Sequence, residues 1–175
     1  MDGPTVAIGL AVAAGLISKF GTVSFGGTSG GQMSRAQVKA LVERIVGSYT
    51  PGIDPRMVRA IIEIESTRFP QAWRNEPHIS DASIGLMQTL HRTALFLYDT
   101  YGAKSMARPS DAADLLNPET SVYFGANYLE YLTSYGGGGH SEEWIVRAYN
   151  GGPGNAMSTA TANYWNKYKA AKAAL

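Results

Sequence analysis

Glu65 stands where a carboxylate can do chemistry. Asp54 followed by Pro55 is a helix-start signal, an N-cap acceptor and then a residue whose fixed φ suits the first helical position. From there Val58, Ile61, Ile62 and Glu65 fall at i, i+3, i+4 and i+7, one face of a 3.6-residue helix. A carboxylate at the end of an apolar stripe is expected to be desolvated, which disfavours its charged form and raises its pKa. An acid still protonated near neutral pH is what glycosidic-bond cleavage needs as a proton donor. A last-turn Glu can also curl out to water, so the stripe alone leaves both readings open. Glu63 points roughly the opposite way, four residues after Arg59, and is expected to be a solvent-face charge.

Further along the chain come segments that could surround such an acid. Glu65-Ser66-Thr67-Arg68-Phe69-Pro70-Gln71-Ala72 is followed, after a polar loop, by Ser83-Ile84-Gly85-Leu86-Met87-Gln88. Far downstream lies Ala148-Tyr149-Asn150-Gly151-Gly152-Pro153-Gly154-Asn155. In order and spacing these segments resemble the catalytic domain of the soluble lytic transglycosylases, relatives of goose-type lysozyme. That family's pattern is a Glu-Ser opening, a Gly-Leu-Met-Gln turn and an Ala-Tyr-Asn-x-Gly-Pro-Gly segment. Asn117-Pro118-Glu119 and Tyr128-Leu129-Glu130-Tyr131-Leu132 are similar to its helix between the second and third motifs. The fold implied is mainly α and lysozyme-like, one catalytic domain with a long loop or short hairpin after the catalytic helix.

The resemblance implies roles position by position. Glu65 corresponds to the single catalytic acid, and Met87, Gln88 and Tyr149 to residues of the substrate groove. Asn150 corresponds to a residue that holds the loop near the sugar site. Ser80 or Ser83 corresponds to a serine contacting the substrate's N-acetyl side; the loop after Glu65 is several residues longer than in the plainest members, so the choice stays open. His91 stands where the family usually has a proline before Thr-Ala. The partner implied is a peptidoglycan glycan strand, and no cofactor or metal is called for.

The reaction turns on a second carboxylate. Retaining glycosidases hold two carboxyl groups ~5–5.5 Å apart, and inverting ones ~6.5–9.5 Å apart with a water between them. The candidates here are Glu76 and Asp81, both in the loop after Glu65. With neither engaged, the route implied by the family is a lytic transglycosylation that leaves a 1,6-anhydromuramoyl end. With one of them positioning water, the chain would be a goose-type lysozyme-like hydrolase. A non-catalytic peptidoglycan-binding or virion structural protein is the reading from another class, since a fold does not guarantee an activity.

The elements that must position these residues read as helices. Ser34-Arg35-Ala36-Gln37 is a capping box, followed by a buried stripe of Val38, Leu41, Val42, Ile45 and Val46, and Gly47 to Gly52 is expected to close that helix. Residues 66 to 88 form a long polar loop, of a length that is often functional. Thr93 to Tyr101 is expected to be helical, and Arg108 to Leu116 to connect onward. Asn117 and Pro118 open a helix that buries Val122, Ala126 and Leu129. Gly136 to Gly139 breaks the chain, a short helix around Trp144, Ile145 and Ala148 delivers Tyr149 and Asn150, and a last helix runs from about Asn163 to Ala171. The glycines at 151, 152 and 154 follow a helix rather than a strand, so they suit a groove wall better than a phosphate cradle. Among the many tyrosines and tryptophans of the second half, only Tyr149 is expected on the substrate; the rest read as core or groove wall.

Composition sets the outer bounds. The chain has 175 residues, 45% hydrophobic and 17% charged, enough for one substantial core. A net charge of +1 gives no basic field for nucleic acid. The absence of cysteine removes disulfides and thiolate metal sites, and His78, His91 and His140 lack metal-ligand spacing. Residues 1–33 differ from the domain at 34–175. Val6 to Ile17 is an apolar run shorter than the roughly 20 residues that span a bilayer, and Asp2 is the one charge before it. The run could touch a membrane, pack on an assembly partner or pack on its own domain; a membrane or virion-assembly contact through residues 5–20 is the expectation, since such a run left in water would be an exposed apolar patch. The expected place of action is extracytoplasmic at the bacterial cell wall, either virion-associated (phage) or envelope-tethered.

Overall fold

The computed structural model describes residues 31–175. The expected contact through residues 5–20 lies outside the described residues. Ser34 opens the first helix, α1 (Arg35–Tyr49), by the expected capping box with Gln37. Its five predicted stripe residues are all buried. The helix ends at Tyr49, inside the stretch Gly47 to Gly52 expected to close it, where Thr50 N–H closes on the Val46 carbonyl. Asp54 caps α2 (Pro55–Glu65) through a 2.8 Å bond from Arg56 N–H.

The polar loop after Glu65 contains a small antiparallel sheet, order β1-β2-β3, formed by β1 (Trp73–Glu76), β2 (Asp81–Ile84) and β3 (Thr89–Leu90). Arg74 pairs with Ser83 and Glu76 with Asp81 across the first two strands. A 3-10 turn, Pro77–Ile79, joins those strands, and Ser80 leaves it in the left-handed region at φ 52°. The expected helix over Thr93–Tyr101 is α3 (His91–Phe96) followed by a wider π turn, Leu97–Tyr101, that ends at Gly102 with φ 97°. The connector before the next helix carries a 3-10 turn at Ala112–Leu116.

Asn117 then caps α4 (Pro118–Ser134), whose residues from Ser121 to Leu129 are all buried. A helix buried all round is the middle of a core. Helix α1 packs on it, as does α5 (Glu142–Gly151), while α6 (Thr159–Ala173) lies on α2 and α5. Helix α6 begins four residues before the expected start, because Thr161 is buried and anchors its first turn. The fold therefore brings the end of α2, the sheet and α6 around one carboxyl, Glu65.

Candidate active site

Glu65 is the last residue of α2, and the chain turns sharply after it. Ser66 N–H closes on the Ile62 carbonyl, and Thr67 and Arg68 follow with φ of 51° and 64°. Two successive left-handed residues that are not glycine cost energy and need outside support. They have it. Met33 N–H donates to Arg68 O (2.9 Å), Arg68 Nε donates to Met33 O (3.0 Å), and Gln32 Nε2 donates to Thr67 O (2.8 Å). Arg68 also pairs with Glu63. Glu63 is thus not the solvent-face charge expected from its position. Its side chain is 13% exposed and paired with Arg68 and Arg35, because the turn after Glu65 folds Arg68 back onto it.

The Glu65 carboxyl accepts a 2.7 Å hydrogen bond from the Tyr164 hydroxyl of α6. The residue keeps some accessible surface, yet loss of water around the carboxyl is the largest influence on it and raises its pKa. The Tyr164 bond and the charges of Arg74 and Lys167 pull the other way, and Glu76 adds to the rise. Burial also raises the Tyr164 hydroxyl well above its ordinary value, with the nearby Glu65 charge adding to the effect, so this phenol stays a donor.

The Gly-Leu-Met-Gln turn is tied to this acid from several sides. Ser66 Oγ donates to Leu86 O (2.8 Å), Ser121 Oγ accepts from Met87 N–H (3.1 Å), and the Tyr149 hydroxyl donates to Met87 O (2.8 Å). Gln88 Nε2 donates to Gly85 O (3.0 Å) and Ala72 O (3.2 Å), locking turn to sheet. Gly85, at φ 74°, lies so close to the Leu115 carbonyl oxygen that any Cβ would collide with it. A Cβ at Gly125 of α4 would stand 2.8 Å from Met87 Cβ. Met87 is fully buried there.

The two candidate second carboxylates are both committed. Asp81 accepts from Ala82 N–H (2.8 Å) with one oxygen and from Arg92 Nε (3.0 Å) and N–H (3.2 Å) with the other. Glu76, buried, accepts from Arg74 Nε (2.7 Å) and Ser83 Oγ (3.0 Å) on one oxygen, and its other oxygen faces His78 Nδ1 at 3.9 Å. Among the described residues no group of three or more His, Asp or Glu could hold a metal ion.

Residues 45–172 match the family described as "Transglycosylase SLT domain". The chain belongs to that family. Among solved structures it is similar to an inactive glutamate-to-glutamine mutant of the lytic transglycosylase Slt from Pseudomonas aeruginosa, with 21% identity and a TM-score of 0.54. That likeness, one of fold, covers 77% of this chain and 21% of the other. No curated protein matches the chain.

Within this SLT domain, the residues expected at the site divide by what they touch. Tyr149 props the turn with its buried hydroxyl and lies near enough to Glu65 for that charge to act on it, whereas Gln88 bonds back to Gly85 and Ala72. Ser83 is buried on Glu76 and Arg74, whereas Ser80 is exposed at the tip of the hairpin. Asn150 lies half-buried in the last turn of α5; the bonds that hold the following glycine turn come from Asn155 Nδ2 to Gly151 O (3.0 Å) and from Arg147 to Ser158 O (2.7 Å) and Thr161 Oγ1 (3.1 Å). Tyr164 was missed. It belongs to a helix with a polar, aromatic face, and the available signal was its spacing from buried Thr161 and Tyr168, three before and four after.

Proposed function

We propose that the chain is a peptidoglycan lytic transglycosylase that cleaves the β-1,4 bond between N-acetylmuramic acid and N-acetylglucosamine. The observation that carries this is one desolvated carboxyl, Glu65, held by a neutral donor, with both nearby carboxylates tied up in the sheet. Glu65 protonates the glycosidic oxygen as the bond breaks. The substrate's own N-acetyl oxygen stabilises the positive charge developing at C1. Glu65, now a carboxylate, takes the proton of the C6 hydroxyl, whose oxygen closes onto C1. The product is a 1,6-anhydromuramoyl end, and no water is consumed. One residue serving as acid and then base needs both protonation states within reach, which a raised pKa provides. Tyr164 suits both halves of the cycle, since it keeps the carboxyl oriented in each state.

The place of action in this proposal is the bacterial cell wall, outside the cytoplasmic membrane. Delivery by a virion and tethering to the envelope both accord with the apolar run at Val6 to Ile17. No helix among the described residues is long and apolar enough to cross a membrane.

Mass spectrometry of muropeptides released from purified peptidoglycan tests the reading, with Glu65→Gln run beside the parent protein. Anhydro ends that vanish in the variant are the expected result. Reducing ends would instead make the enzyme a hydrolase working through Asp81 or Glu76. No release by either folded protein would sink the catalytic reading in favour of a binding or structural role.

A further inference from the structure

Arg74 is an exposed guanidinium built on buried supports. It lies on β1 directly across from Ser83 on β2, on the face opposite Trp73 and Asn75, which bond to each other through Trp73 Nε1 and Asn75 Oδ1 (2.7 Å). Its side chain is 65% exposed, while the Glu76 side chain beneath it is 11% exposed and Ser83 is buried. Arg74 gives Nε to Glu76 (2.7 Å) and one Nη2 proton to Ser83 Oγ (3.3 Å). An arginine has five donors, so Nη1 and the second Nη2 proton stay uncommitted among the described residues. A buried carboxylate and a buried hydroxyl therefore fix one edge of the fork and leave the other edge free. That is the geometry of bidentate carboxylate recognition, with the ordering entropy of the side chain already spent.

The position of this fork matters. Ala72, two residues before Arg74, accepts from Gln88 and from Gly85 N–H (2.8 Å), so the base of the strand is fastened to the turn beside Glu65. The Arg74 charge reaches Glu65 and favours its ionised form. Glu76, paired with Arg74, acts on Glu65 in the opposite sense. We propose that Arg74 reads a carboxylate of the bound glycan strand, carried by the lactyl ether of muramic acid or by the peptide stem attached to it. This rests on the lytic transglycosylase reading above. A carboxylate seated on Arg74 would offset a charge that favours ionised Glu65, and so add to the desolvation that already raises its pKa.

The test is equilibrium binding by calorimetry in a Glu65→Gln background, so that no ligand is consumed. Three glycans of equal length serve as probes: muramic-acid oligomers with peptide stems, the same oligomers stripped to free lactyl carboxylates, and chitin oligomers with no carboxylate. The expected result is roughly tenfold or greater preference for a carboxylate-bearing glycan over chitin, shrinking as salt rises and lost in Arg74→Gln. Preference for the stripped oligomer assigns the lactyl carboxylate, and preference confined to the stemmed oligomer assigns the stem. Arg74→Gln leaves buried Glu76 without its cation, so Arg74→Gln combined with Glu76→Gln is measured too and must lose the same preference. Retention of the preference in both variants, or its absence in the background, overturns the assignment even if the parent protein still releases anhydro ends. Binding to none of the three glycans by the folded background protein overturns this inference together with the functional reading beneath it.

Discussion

Tyr164 and Glu65, 99 residues apart in sequence, share a 2.7 Å hydrogen bond that joins the end of α2 to the first turns of α6. The bond favours the carboxylate, so it works against the desolvation that raises the Glu65 pKa. Removing it should let that pKa climb further. Because the proposed reaction begins with protonated Glu65, activity should fall as pH rises through the Glu65 pKa, and Tyr164→Phe should move this alkaline limb to higher pH. The same change frees the carboxyl to rotate, so kcat should drop about 10–100-fold. A pH profile of kcat/KM for parent and variant reads both effects. An unmoved limb with full activity would mean that Tyr164 only packs.

The raised Glu65 pKa also bears on stability. A carboxyl whose folded pKa exceeds its unfolded one favours folding below the unfolded value and loses that contribution as pH rises through the folded one. At neutral pH the parent protein therefore carries the cost of a charge poor in water. Glu65→Gln, which has no charge to desolvate, should raise Tm by a few degrees at pH 7 and give no gain once pH lies below the ordinary carboxyl value of 4.5. Melting curves at several pH values check the sign. A variant less stable than its parent at pH 7 would show that the carboxylate is well solvated.

Helix α4 meets the Gly-Leu-Met-Gln turn at Gly125, and the fit leaves no room. An alanine there would bring its Cβ within 2.8 Å of Met87 Cβ in a fully buried contact. Gly125→Ala should cost about 1–3 kcal/mol, typical of overpacking, and should lower activity by shifting the turn beside Glu65. Met87→Ala alone should also destabilise, through the cavity it leaves. The two together should cost less than the sum of the single changes, because each relieves the other. Urea denaturation of the four proteins gives the coupling, and strict additivity would argue that the contact is not tight.

How far the sequence spoke can be judged at particular residues. The stripe ending in Glu65, the capping box at Ser34 and the Asn117-Pro118 start were legible because each depends on local spacing and on side chains bonding a few residues away. The motif segments meet as well, Ser66 bonding to Leu86 and Tyr149 to Met87. Tyr164 and Arg74 were not legible, since their meaning lies in partners across the fold. Glu63 was misread because Arg68, not Arg59, turns back to meet it after two left-handed residues that no local pattern announces. The start of α6 was set late because Thr161 is buried through hydrogen bonds with Arg147, Asn155 and Ala156 rather than by an apolar side chain.

Helix α6 also offers a way to disturb the acid from a distance. Tyr164, Tyr168 and Lys172 recur every four residues and so share a face. Tyr168 donates to Glu142, and Lys172 Nζ lies 2.8 Å from both Asp54 and Glu142, clamping α6 to the starts of α2 and α5. Burial alone would raise both carboxyls, but the Lys172 bond and charge, together with Arg56 at Asp54 and the Tyr168 hydroxyl at Glu142, outweigh it and hold them below their ordinary values of 3.8 and 4.5. Their contribution to stability is therefore full above those values and lost as pH falls through the lower folded ones. Lys172 behaves in the opposite sense: burial lowers its pKa, the two carboxylates raise it further, and its contribution fades only as pH rises through a value above 10.5. Lys172→Met should cost about 1 kcal/mol at pH 7, as partly exposed pairs do, and that difference should disappear in acid. Asp54 still accepts from Arg56 N–H in the variant, so α2 keeps its cap. If the clamp aligns Tyr164 with Glu65, Lys172→Met should lower kcat several-fold with KM unchanged. Added to Tyr164→Phe it should then lower kcat no further. A second drop in the double variant would show that Lys172 acts on the site by some path other than Tyr164.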